Sequence, residues 1–126
     1  MTRALGAHCC CRVSRRRWER GHRVTWPNTR FAAAQAAGLK YIHLPFNAAM
    51  PDAKVVDGFL AAVGDTANQP VFIHCGSANR VGAVWMIKRA LKDGWPIDRA
   101  RAEAEAIGLT SPQLTAFATT YITAHR

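Results

Sequence analysis

The segment from Val71 to Gly82 constrains the fold most, because it joins an apolar run to a helical pattern through small residues. It reads VFIHCGSANRVG and places Cys75 five residues before Arg80. A buried strand that ends in such a loop presents a thiol to backbone N–H groups and to the positive end of the next helix. Such surroundings lower a cysteine pKa from about 8.5 to about 3.5–7.5 and favour the thiolate. We therefore predict an anion-binding catalytic cysteine at Cys75.

Arg80 has a matching role in this interpretation. A planar guanidinium pairs with two oxygens of a phosphate and stabilises the charge that grows during its transfer. The alternative is a buried cysteine at a strand end that lies near a surface arginine by chance. The combination of strand, cysteine, small residues, arginine and amphipathic helix favours the catalytic interpretation.

Strands and helices alternate from residue 29 onward. Predicted strands run from Lys40 to Phe46 and from Val71 to His74. Predicted helices run from Phe31 to Ala37, from the N-cap Asp52 to Gly64, from about Val81 to Lys92, from about Ile97 to Ala106 and onward from Ser111-Pro112. The pattern predicts an α/β fold with a parallel sheet and with the cysteine loop at the carboxyl end of a strand.

The charge is concentrated at the start of the chain. The 126 residues carry a net charge of +9, and residues 1–30 contribute +7 through eight arginines against the single acid Glu19. No basic helix or regular aromatic spacing accompanies these arginines, so specific nucleic-acid binding is not predicted. Residues 1–28 fit neither a strand and helix unit nor an ordinary disordered tail. We interpret them as a basic segment, disordered or mistranslated, and place one domain at residues 29–126.

The four cysteines do not have the spacing of a disulfide framework, because Cys9, Cys10 and Cys11 are adjacent and Cys75 stands alone. Adjacent cysteines also converge poorly on one tetrahedral metal ion. No apolar stretch approaches the ~20 residues of a membrane span, and no signal peptide is recognisable. We expect a soluble, cytoplasmic protein without a membrane partner as the sequence is written. An export signal missing upstream stays an open alternative.

The sequence from His74 to Trp85 resembles the bacterial beta-lactamase hydrolase-like protein phosphatase-like family, a relative of dual-specificity and tyrosine phosphatases. Residues 37–45 resemble the strand that precedes the general-acid loop of that family, and residues 94–95 and 103–109 resemble its C-terminal helices. The resemblance covers about residues 29–126. It implies a phosphatase-like parallel sheet flanked by helices, here lacking an N-terminal βα unit.

The resemblance also implies roles for the loop residues. Cys75 would attack phosphorus and form a phosphocysteine that water hydrolyses, Arg80 would clamp the phosphoryl oxygens, and His74 would orient the loop. The substrate-binding backbone amides would be those of Gly76, Ser77, Ala78, Asn79 and Arg80. The side chains of Ser77 and Asn79 either contact substrate or hold the loop, and we favour the loop. No metal or organic cofactor is implied, the substrate would be a phosphorylated protein or small molecule, and the oligomeric state is open.

Two departures from tyrosine phosphatases keep alternatives open. Four residues instead of five separate Cys75 from Arg80, and Val81 replaces the usual Ser or Thr. This approaches the loop of rhodanese-type sulfurtransferases, in which Cys75 would carry a persulfide. The second departure concerns the general acid, since Asn47 cannot donate a proton as an acid would. Asp52 is the only local candidate, and it is equally suited to capping a helix. A catalytically impaired anion-binding module is the third interpretation.

Overall fold

The fold is known from a computed structural model that describes Ala32, residues 36–126 and the backbone of residues 5–8. Its strands are β1 (Leu5–His8), β2 (Tyr41–His43) and β3 (Val71–Phe72). They pair in parallel in the order β2-β1-β3. Gly6 of β1 lies opposite Tyr41 on one side and Phe72 on the other.

The described chain continues with four helices of more than ten residues. These are α1 (Ala53–Gly64), α2 (Asn79–Leu91), α3 (Ile97–Ile107) and α4 (Pro112–Ala124), with a short 3-10 helix at Thr66–Asn68. The starts of the four long helices were predicted within two residues, and so were the ends of α1, α2 and α3. The prediction for residues 31–37 lies largely outside the described residues, although Ala32 and Ala36 are helical and Gly38 has a positive φ of 73°.

Local capping explains where two of these helices begin. The Asp52 carboxylate accepts the Lys54 N–H at 2.9 Å before α1, which confirms the predicted N-cap. The Ser111 hydroxyl accepts the Leu114 N–H at 3.3 Å before α4, and proline occupies the first helical position. Both arrangements satisfy backbone donors that a helix leaves unpaired at its start.

Helix α2 lies at the centre of the packing. Its Ala83, Val84, Met86 and Ile87 are completely buried, and it packs against α3 and α4. Arg89 reinforces the contact with α3 through a two-pronged ion pair with Glu103, at 2.8 Å from Nε and 3.0 Å from Nη2. The start of α2, which carries the cysteine loop, is therefore held by the core.

The strands are shorter than predicted. β2 ends at His43 instead of Phe46, and β3 ends at Phe72 instead of His74. The register explains the second difference, because β1 pairs with β3 only through Leu5 and Gly6. Although β1 itself continues to His8, Ile73 and His74 are not paired with it and so lack the ladder of backbone hydrogen bonds that defines a strand. Both predicted strand ends therefore belong to the loops that build the site.

Strand β1 was not expected. The sequence indicated that the N-terminal βα unit was missing, yet Leu5–His8 fills the position between β2 and β3. A gap between β2 and β3 would leave the N–H and C=O groups of both strands unpaired. The extended segment Leu5–His8 pairs with these groups through its backbone, and such pairing does not depend on residue type. The separation of residues 1–28 from residues 29–126 stays a prediction.

Candidate active site

The cysteine loop connects β3 to α2. Cys75 is half-buried within it, and Arg80 is the second residue of α2 with only 9% of its surface exposed. The Arg80 side chain folds back over the loop, because a Cβ atom added to Gly76 would lie 3.4 Å from Arg80 Nη2. The structure thus places the predicted clamp against Gly76, the residue that follows the predicted nucleophile.

The loop enters α2 through a left-handed residue. Ala78 has φ 63° and ψ −13°, and it is the N-cap of α2 without a side-chain capping bond. Its carbonyl accepts the Gly82 N–H at 2.8 Å. Non-glycine residues adopt this conformation at a cost of roughly 1 kcal/mol or more, and it persists only where surrounding contacts impose it. The left-handed conformation of Ala78 turns the chain from the cysteine loop into α2.

The loop after β2 reaches the same site through its main chain. Arg80 Nη1 donates to the Phe46 carbonyl at 3.3 Å. The Phe46 ring is buried, and its centroid lies 5.9 Å from that of Phe117. The Arg80 guanidinium is therefore located by a backbone oxygen whose own position is fixed by aromatic packing. Sequence analysis missed this role of Phe46, because every residue has a backbone carbonyl and the residue type does not indicate which carbonyl accepts a hydrogen bond.

Asn47 and Asp52, of which only Asp52 was a candidate for the general acid, both make local hydrogen bonds after β2. Asn47 Oδ1 accepts the Ala49 N–H at 3.0 Å, and Asp52 is exposed at the start of α1. Gln113 Nε2 donates to the Ala49 carbonyl at 3.1 Å, which attaches the loop to α4. The cap at Asp52 is confirmed, whereas its service as general acid stays a prediction.

The remaining predicted residues lie around the loop. His74 is half-buried with its ring centroid 5.5 Å from that of Phe72, and Ser77 is exposed. The Asn79 side chain hydrogen-bonds Thr110 and Ser111 in the turn between α3 and α4. This turn was not predicted as part of the site, since it lies about 31 residues further along the chain.

Within residues 36–126 and the other described positions, no three His, Cys, Asp or Glu side chains are grouped as metal ligands. None of the helices described is long and apolar enough to span a bilayer. The triplet of Cys9, Cys10 and Cys11 lies outside the described residues.

Comparison with known families decides what kind of domain carries this site. The family described as beta-lactamase hydrolase-like protein, phosphatase-like domain, matches residues 22–92, more than half of the chain. The chain belongs to this family. The resemblance predicted from the cysteine loop is confirmed, and phosphatase function is the activity that the family supports. No curated protein matches the sequence.

Solved structures agree in fold. The core catalytic domain of the PP-IP phosphatase SIW14 from S. cerevisiae, determined with citrate, superposes with a TM-score of 0.68 at 17% identity over 98% of this chain and 68% of that one. A DUF442 candidate phosphatase from Shewanella putrefaciens CN-32 gives 0.67 at 15% identity, over 97% and 76%. A further candidate phosphatase, from Neisseria meningitidis Z2491, gives 0.63 at 22% identity, over 96% of this chain and 80% of that one. At these identities the likeness shows a phosphatase-like fold.

Proposed function

We propose that the chain is a cysteine-dependent phosphatase of the tyrosine or dual-specificity type that hydrolyses phosphoesters through a phosphocysteine intermediate. The supporting observation is the arrangement of Arg80, whose buried guanidinium folds over Gly76 beside Cys75. A guanidinium in that place can pair with two phosphoryl oxygens and stabilise their charge. Family membership supports the same class of reaction.

The reaction has two displacements. The Cys75 thiolate attacks phosphorus, the S–P bond forms, and the bond from phosphorus to the leaving oxygen breaks as that oxygen takes up a proton. Water then attacks the phosphocysteine, the S–P bond breaks, and phosphate leaves while the thiolate returns. The amides of residues 76–80 and Arg80 bind the phosphoryl oxygens in both steps, and His74 orients the loop.

Asp52 is the local candidate for protonating the leaving oxygen. Its bond to Lys54 N–H shows that the carboxylate caps α1, and the cap is the role that we favour. Without an acid, esters with good leaving groups are the better substrates. The proposed substrate is a phosphorylated small molecule or protein. PP-IP compounds are substrates to test, because SIW14 is described as a PP-IP phosphatase.

The test is turnover of an aryl phosphate by Cys75→Ser. We expect activity to be abolished, while sulfate or vanadate still binds through the loop amides and Arg80. A chain with Cys9, Cys10 and Cys11 all changed to serine is the matched control and should keep its activity. Unchanged turnover by Cys75→Ser would end the proposal.

The alternatives are outcomes of the same experiment. Thiosulfate and cyanide are offered to the same preparation, and formation of thiocyanate without phosphate release would establish a sulfurtransferase. Oxyanion binding without either reaction would establish an anion-binding module. Neither alternative is favoured by the family or by the solved structures.

A further inference from the structure

The turn between α3 and α4, residues 108–111, is attached to the first residue of α2. Asn79 Oδ1 accepts two backbone N–H groups, from Thr110 at 2.7 Å and from Ser111 at 2.8 Å. Asn79 Nδ2 lies 3.2 Å from the Thr110 hydroxyl and donates to it. Both Oδ1 and Nδ2 of Asn79 therefore form hydrogen bonds with the turn.

The same turn touches the cysteine loop sterically. A Cβ atom added to Gly108 would lie 2.8 Å from the Ala78 Cβ, and one added to Gly82 would lie 2.8 Å from the Leu109 Cβ. Both distances are well below van der Waals contact, so only glycine fits at these two positions without displacement. The turn thus packs directly behind Ala78, the left-handed residue that ends the cysteine loop.

Resting on the phosphatase function proposed above, we propose that Asn79 is a positioning residue that shapes the phosphoryl cradle by anchoring residues 108–111 behind it. The anchored turn holds Ala78 in its left-handed conformation and so sets the direction of the amides between Cys75 and Arg80. Asn79 acts on the substrate through the loop and does not contact it. The family match ends at residue 92 and leaves the turn outside.

The first experiment measures the dissociation constant of tungstate, a phosphate mimic, together with kcat and KM for an aryl phosphate. Asn79→Ala leaves two backbone donors of the turn without their acceptor. We expect it to weaken tungstate binding about tenfold and to lower kcat/KM on the order of a hundredfold, because a displacement of about 1 Å in a reacting group has such an effect. Thr110→Val removes the hydroxyl but keeps both N–H donors, and it should remain close to the unmodified chain.

The second experiment approaches Ala78 without changing Asn79. Gly108→Ala introduces both a strained positive φ of 136° and a collision with Ala78. Gly94→Ala is the matched control, since Gly94 also has a positive φ, 69°, but nothing lies within 4 Å of its added Cβ. Both variants should lose stability, and only Gly108→Ala should lose tungstate affinity and kcat.

The outcomes separate this inference from the proposed function. Asn79→Ala that melts at a lower temperature but binds tungstate like the unmodified chain would show a purely structural role and overturn the inference. If Asn79→Ala does not fold, equal tungstate affinity in Gly108→Ala and Gly94→Ala would overturn it instead. An unmodified chain that binds tungstate yet releases no phosphate contradicts the phosphatase proposal, and the tungstate comparison still tests Asn79.

Discussion

The Arg80 guanidinium makes two contacts that no other basic side chain can make at the same time. One prong of its guanidinium bonds the Phe46 carbonyl, and the other lies over Gly76. Lysine keeps the charge but has a single nitrogen in place of the planar fork. Arg80→Lys should therefore lower kcat for an aryl phosphate on the order of a hundredfold.

The control for this substitution is Arg101→Lys. Arg101 is exposed and bonds Glu105 one helical turn away, so the lysine variant should keep its rate. A near-normal rate for Arg80→Lys would show that position 80 supplies only positive charge. Steady-state kinetics at saturating substrate, with the melting temperature measured alongside, distinguishes these results.

At the scale of secondary-structure elements, substitutions of Asp52 at the start of α1 distinguish a capping role from a catalytic one. If Asp52 only caps, Asp52→Asn should leave both stability and rate nearly unchanged, because asparagine caps as well as aspartate, whereas Asp52→Ala should lose about 1 kcal/mol of unfolding free energy. Denaturant titration measures this loss. Rates are compared for esters with good and with poor leaving groups, since only poor leaving groups need the proton. A selective loss on poor leaving groups in Asp52→Asn would instead identify the general acid.

Which elements could be predicted depends on how local their causes are. The cap of α1 was predictable because Asp52 and Lys54 are two residues apart, and the helix is amphipathic. The anchoring of the cysteine loop was not, because Asn79 and Ser111 are 32 residues apart and nothing in their types indicates that they meet. The cysteine loop was recognisable as a sequence pattern, whereas its contacts with Phe46 and with residues 108–111 depend on packing.

At the scale of the whole molecule, Tyr121 on α4 donates a hydrogen bond to Asp57 on α1. Burial and this carboxylate raise the pKa of Tyr121 to about 12. The unfolded chain loses the phenolic proton near pH 10, so it binds fewer protons than the folded chain between pH 10 and 12. The contribution of Tyr121 to stability is therefore complete below pH 10 and disappears as the pH rises through 12.

Tyr121→Phe should remove this dependence. Between pH 10 and 12 the unmodified chain should lose on the order of 2 to 3 kcal/mol of unfolding free energy relative to Tyr121→Phe, as measured by denaturant titration at each pH. Parallel curves for the unmodified chain and Tyr121→Phe would contradict the assignment.

The middle position of β1 leads to a test of how the molecule is divided. Ala7 lies opposite Ile42 inside the sheet, and proline there removes a backbone donor and clashes with a neighbouring strand. Ala7→Pro should abolish cooperative unfolding or lower the melting temperature strongly, while Ala7→Ser, which keeps the N–H group, should not. An unaffected Ala7→Pro would support the prediction that residues 1–28 are separate from the domain.

The docking of residues 108–111 on Asn79 also has a consequence for synthesis on the ribosome. The chain emerges from its N-terminus, so Cys75 and Arg80 leave the exit tunnel well before Thr110 and Ser111. A nascent chain that has formed α2 carries the proposed nucleophile and clamp, but not yet the turn to which Asn79 is hydrogen-bonded. Competence to bind oxyanions should therefore arise late in translation, when the start of α4 has emerged and docked.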